Sequence, residues 1–131
     1  MIKNIVWIED DIGIIRPVVR PLENAGHRIT FMSDIKTALE NMDVIRQADL
    51  LLIDMIFPPG GADEHFPRYS GLGLLEKMRN ELKITTPVVI LTVVTNEEAH
   101  EELKKLDVAD IIHKPVRPSE LKERVEKILG L

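Results

Sequence analysis

No cysteine occurs among the 131 residues. A disulfide scaffold, a thiolate metal site and a cysteine nucleophile are therefore excluded, and the chain suits a reducing compartment. Aromatics are scarce, at 4%, so the core must be built from aliphatic side chains. No apolar run approaches the ~20 residues that a membrane-spanning helix needs. The opening stretch, Met1-Ile2-Lys3-Asn4-Ile5-Val6, enters a strand pattern directly and lacks the layout of a secretory signal, so a cytoplasmic location is expected. An excess of basic charge is missing too. The formal net charge is −5, and phosphate backbones would be repelled, so direct nucleic-acid binding is not expected.

What is present is an ordinary globular balance, 44% hydrophobic and 30% charged residues, in a length that suits one domain with a real core. Five short apolar runs recur: Ile5 to Ile8, a weaker His27 to Phe31, Leu50 to Ile53, Val88 to Leu91, and the short Ile111-Ile112. Continuous apolar runs suit parallel strands covered on both faces. Helical patterns lie between them. Asp34 to Met42 places Ile35, Ala38, Leu39 and Met42 on one face, and Gly71 to Leu82 does the same with Leu72, Leu75 and Met78. Near the end, Ser119 is positioned to cap a helix striped by Leu121, Val125, Ile128 and Leu129. The first helix should follow Asp11, yet it carries Pro17 and Pro21, which predicts a bent helix or a short start. The alternation points to a doubly wound α/β domain over residues 1–131. Phe57 to Ser70, with Pro58, Pro59, Gly60, Gly61 and Pro67, is longer than the usual two-to-six-residue connection.

Open α/β sheets bind ligands beyond the carboxyl ends of their strands. Polar residues fall at those ends here: Glu9-Asp10-Asp11 after the first strand, Asp54 after the third, Thr92 after the fourth and Lys114 after the fifth. Converging carboxylates repel, and a hard divalent cation such as Mg²⁺, which takes oxygen ligands, relieves that repulsion. Lys114 offers a point charge to a phosphoryl oxygen, and Thr92 a hydroxyl donor. Each residue also has a plainer reading. Asp11 reads equally as a helix cap, Thr92 as a β-former and Lys114 as a solvated lysine. Asp54 follows an apolar run and needs a partner if buried.

Four segments resemble the receiver domain of two-component response regulators, over essentially the whole chain. Ile5-Val6-Trp7-Ile8-Glu9-Asp10-Asp11 is similar to the family's acidic pocket, and Leu51-Leu52-Ile53-Asp54-Met55-Ile56-Phe57-Pro58 to its phosphoacceptor strand. Pro87 to Thr92 is similar to its switch-threonine strand, and His113-Lys114-Pro115 to its Lys-Pro pair, usually joined by a cis peptide. The resemblance implies five parallel strands in the order 2-1-3-4-5 with helices on both faces, the CheY-like, flavodoxin-like arrangement. It implies that Asp10, Asp54 and the Ile56 carbonyl coordinate Mg²⁺ and that Glu9 acts through metal-bound water. Asp54 would accept a phosphoryl group, with Thr92 and Lys114 binding its oxygens. The partners implied are a sensor histidine kinase or phosphotransfer protein and a downstream protein. A stand-alone receiver with no output domain on this chain is expected.

The pattern also departs from the family. Val93 stands where a small residue is preferred, Ile111 where a switch aromatic is usual, and the Phe57–Ser70 loop is long. These argue for the alternative of a pseudo-receiver that is not phosphorylated in its working cycle, and the intact Glu9, Asp10, Asp54, Thr92 and Lys114 argue against it. A haloacid-dehalogenase-type phosphatase would want a second Asp two positions after Asp54, where Ile56 stands. Asp63, Glu64 and His65 hint at a second metal site but read more simply as solvated. The stretch Asn96 to Lys105 reads as a solvated helical face or a partner surface. Ile14, Ile15, Val18 and Val19 on the first helix read as a docking strip or as core. The long loop, with Phe66 and Tyr69 as anchors, is expected to report phosphorylation if Ile111 cannot.

Overall fold

A computed structural model describes residues 2–9, 12–54, 70–92 and 97–131. The strands are β1 (Asn4–Ile8), β2 (Arg28–Met32), β3 (Leu50–Asp54), β4 (Val88–Thr92) and β5 (Asp110–His113). The helices are α1 (Ile12–Asn24), α2 (Ile35–Glu40), α3 (Met42–Gln47), α4 (Ser70–Glu76), α5 (Glu97–Lys104) and α6 (Pro118–Ile128). All strand pairs are parallel, in the order β2-β1-β3-β4-β5. The doubly wound sheet expected from the alternating pattern is present.

Every residue of β3 and β4 is buried, because both faces of these strands are covered. Val6, Ile8, Leu51, Ile53, Val88 and Ile90 pack on one face against Ile35, Ala38, Ile45, Leu75, Met78 and Leu103 from α2 to α5. Alternate residues Ile5, Trp7, Leu50, Leu52, Val89, Leu91 and Ile112 point the other way, onto Val19 and Leu22 of α1 and Leu121 and Val125 of α6. Burying each such aliphatic side chain contributes about 1.5–3 kcal/mol, so these two layers carry the fold. The edge strand β2 alternates exposed Arg28 and Thr30 with half-buried Ile29 and Phe31, which explains its weak signal. Its Phe31 stacks on Trp7 with ring centroids 6.4 Å apart, and the Arg16 guanidinium lies 5.2 Å above the Phe31 ring.

Several local expectations need correcting. The strand foreseen from His27 starts one residue later. The His27 ring is instead buried: Nδ1 accepts from the Lys3 amide at 3.2 Å and Nε2 lies 3.1 Å from Glu126 Oε2. An amide donor on Nδ1 leaves Nε2 as the nitrogen that donates to Glu126. The helix expected over Asp34 to Met42 breaks at Asn41, whose φ of −124° and ψ of 34° leave the helical region. Asn41 Nδ2 donates to the Thr37 carbonyl at 2.7 Å and closes α2. The Asn41 carbonyl then accepts from Val44 and Ile45 at 3.1 and 3.2 Å, which starts α3. The helix predicted over Gly71 to Leu82 continues past α4 as a π turn, Lys77–Glu81, with Leu82 N donating to Lys77 O at 3.0 Å. Ser119 is not the cap of α6. Arg117 holds that place and Pro118 opens the helix, where its fixed φ suits the first turn and no amide is needed. α1 is not shortened by its prolines and runs for 13 residues through both.

Candidate functional site

The parallel strands deliver their polar termini to one edge of the sheet. Glu9 directly follows β1 and is buried, its amide donating to the Met32 carbonyl at 3.0 Å. Asp54 is the last residue of β3 and Thr92 the last of β4, and both are buried. Lys114 follows β5, its amide donating to the Thr92 carbonyl at 2.8 Å. The Lys114–Pro115 peptide is cis.

From that anchor the Lys114 ammonium crosses the strand ends. Nζ donates to Glu9 Oε2 at 3.1 Å and lies 3.2 Å from Asp54 Oδ2. Burial pushes the Lys114 ammonium down, but the charges of Asp54 and Glu9 outweigh it, so its pKa lies above the ordinary lysine value. The lysine therefore stays charged. Among the described residues two buried carboxylates face the one Lys114 ammonium, and their oxygens are hard donors at a sheet edge. That donor set fits a hard divalent cation such as Mg²⁺. Among the described residues no group of three or more His, Cys, Asp or Glu stands together as a metal cluster.

Of the residues singled out in the sequence, Glu9, Asp54 and Lys114 meet directly, and Thr92 joins them through the Lys114 backbone. Asp10, Asp11, Ile56, Val93 and residues 57–69, including Asp63, Glu64, His65, Phe66 and Tyr69, lie outside the described residues, as do the side chains of Ile14 and Ile15. Val19 is buried, and the half-buried Val18 packs against the core shared by α1 and α6. Ile111 is half-buried against the opposite layer. Two groupings had no sequence signal. The rings of His100 and His113 meet with centroids 5.1 Å apart. Arg79, in the π turn, gathers four backbone carbonyls from two connections.

A 2-1-3-4-5 parallel sheet with carboxylates and a lysine at its carboxyl edge defines a doubly wound domain with an acidic pocket. The chain belongs to the response regulator receiver domain family, whose model matches residues 5–126. These are signalling domains of two-component systems, and receivers of this family typically use Mg²⁺ at the phosphorylation site. Among similar proteins, the transcriptional regulatory protein CrdR of Helicobacter pylori is 28% identical over 130 residues, covering 99% of this chain and 56% of that protein. The phosphate regulon transcriptional regulatory protein PhoB of Pseudomonas aeruginosa is 27% identical, covering 97% and 52%. The chain thus spans about half the length of the curated relatives it matches. The receiver domain of Francisella response regulator 1452 superimposes with a TM-score of 0.79 at 26% identity, covering 98% of this chain and 97% of that one. The chemotaxis response regulator CheY4 of Vibrio cholerae does so at 0.77 and 22%, covering 98% and 99%, a likeness of fold. Among the described residues no helix is long and apolar enough to cross a membrane.

Proposed function

We propose that this receiver accepts a phosphoryl group on Asp54 and passes the signal to a partner protein. The observation that carries this reading is the Lys114 ammonium, 3.1 Å from Glu9 and 3.2 Å from Asp54, both carboxylates being buried. A carboxylate oxygen of Asp54 attacks the phosphorus of a phosphohistidine on a sensor kinase or phosphotransfer protein. The P–N bond breaks, its electron pair leaves with the imidazole, and an acyl phosphate forms on Asp54. Such transfer depends on in-line placement and on neutralising the equatorial oxygens rather than on an acid or base. Lys114 supplies a fixed positive charge to one oxygen and the Thr92 hydroxyl a hydrogen bond to another. Mg²⁺, when bound by Asp10, Asp54 and the Ile56 carbonyl with Glu9 acting through water, supplies further charge neutralisation. The new phosphoryl group brings up to about two negative charges beside Thr92. That is enough to draw its hydroxyl inward and bias the neighbouring surface. The setting is the cytoplasm.

One observation favours a second reading, an interaction module of the same fold that is not phosphorylated. Ile111 packs half-buried where a mobile aromatic is usual, and its branched carbon restricts rotation. Incubation with Mg²⁺ and acetyl phosphate, followed by intact-mass measurement, decides between them. One added phosphate, abolished in Asp54→Asn, is the expected result. No mass gain in the wild-type chain supports the interaction module.

A further inference from the structure

The chain has four histidines, and two of them meet beside the pocket although the mechanism uses neither. His100 lies on α5 and is half-buried, while His113 ends β5 and is exposed. Their ring centroids are 5.1 Å apart and the planes are tilted by 51°. His113 stands in register with Thr92 and immediately precedes Lys114, so the pair joins α5 to the edge that carries the carboxylate site.

We infer that His100 and His113 together form a binding site for a divalent transition-metal cation of the Zn²⁺ class. Two imidazoles on one tetrahedral ion, each nitrogen ~2.0–2.1 Å from it, hold their ring centroids about 5 Å apart. The observed separation of 5.1 Å matches that spacing. The exposed His113 ring can reorient its nitrogens about χ2, because that torsion is broad and soft. Imidazole selects zinc, copper and nickel ions, whereas carboxylate and carbonyl oxygens select magnesium. The two sites thus separate by ligand chemistry although they are neighbours. Among the described residues no third His, Cys, Asp or Glu completes the set. Glu97, one helical turn before His100, and Glu101 are exposed on α5 and lend the surface a negative charge that attracts a cation. An ion held there clamps α5 to the end of β5, independently of phosphorylation.

Isothermal titration of the whole chain with Zn²⁺, in excess Mg²⁺ to occupy the carboxylate pocket, tests this. One equivalent should bind, with histidine ring resonances of two residues shifting together. His113→Ala and His100→Ala should each weaken binding at least about tenfold, since even indirect partners of a metal are worth 10–100-fold. His65→Ala and Asp54→Asn should leave it unchanged. The His113 side chain is exposed, so its removal spares the core. No heat and no ring shift in the wild type would mean that the rings form an aromatic pair only, and the inference fails. It fails equally if the double variant His100→Ala/His113→Ala still binds zinc, or if binding disappears in Asp54→Asn. Acetyl-phosphate labelling can succeed or fail without altering any of these readouts.

Discussion

Two half-buried polar groupings sit in different surroundings and teach opposite lessons. At the carboxyl edge, Lys114 stands between Glu9 and Asp54, and one positive charge is shared by two negative ones. Away from that edge, Arg79 donates from Nε to Leu106 O at 2.9 Å, from Nη1 to Ile84 O at 2.6 Å and from Nη2 to Thr86 O at 2.9 Å and Asp107 O at 3.3 Å. Burial pushes the Arg79 guanidinium below its ordinary pKa, and the Asp107 charge opposes that shift. Its partners are fixed backbone dipoles that cannot titrate or leave. The first grouping places two like charges together among the described residues, hard oxygen donors that suit a cationic ligand. The second ties the π turn to the connections entering β4 and β5. A satisfied polar network rigidifies, whereas an unbalanced one is poised for chemistry.

The contrast can be broken by mutation. Arg79→Met should be the most damaging change, because it leaves four carbonyls without this donor. A loss of about 3 kcal/mol or more is expected, as hydrogen bonds to charged groups contribute about 1.5–3 kcal/mol each, read as a fall in the urea midpoint with unchanged m-value. A loss below 1 kcal/mol would show that water replaces the guanidinium and that the network is not structural. Magnesium should act next in size and in the opposite direction. If the pocket binds it, stability rises by RT ln(1 + [L]/Kd), about 2.7 kcal/mol at a hundredfold excess over Kd. Asp10→Ala should remove most of that gain. A melting temperature indifferent to millimolar Mg²⁺ would end the metal assignment.

Acid sharpens the comparison at a smaller scale. The Lys122 ammonium and the His27 ring hold the Glu126 carboxyl below its usual value, and the Thr37 amide does the same for Asp34. A depressed carboxyl stabilises fully above its unfolded pKa and loses that contribution as pH falls through the folded value. Stability should therefore decline as pH drops below the ordinary carboxylate range, about 4. Glu126→Gln should flatten that decline, checked by denaturant midpoints across the range; an unchanged slope would refute the pairing. Asp34→Ala, which removes the 2.7 Å cap on Thr37 N, should cost about 1 kcal/mol. The smallest stability effect belongs to Asp54→Asn. It should end phosphorylation yet change stability by under about 1 kcal/mol, since it removes one of two repelling charges. A large destabilisation would make Asp54 a structural residue, the counterpart of Arg79.

The central strands were legible from the chain alone because burial on both faces writes a continuous apolar run, as in Leu50 to Ile53. The pocket was legible because parallel strands bring their carboxyl ends to one edge, so Glu9, Asp54, Thr92 and Lys114 could be placed before any contact was known. What local pattern could not supply were the events decided by packing. The helix after Asp34 breaks because Asn41 turns back on the Thr37 carbonyl, an option that competes with helix continuation and wins only once Ile45 has a core to enter. The π turn after α4 accompanies the reach of Arg79 to carbonyls 5, 7, 27 and 28 positions away. His100 and His113 meet only because α5 folds back on β5. Periodicity records which side of an element is dry, a property of neighbours along the chain. Which charged or aromatic groups then touch depends on sheet order and helix placement, and those were decided by the tertiary structure.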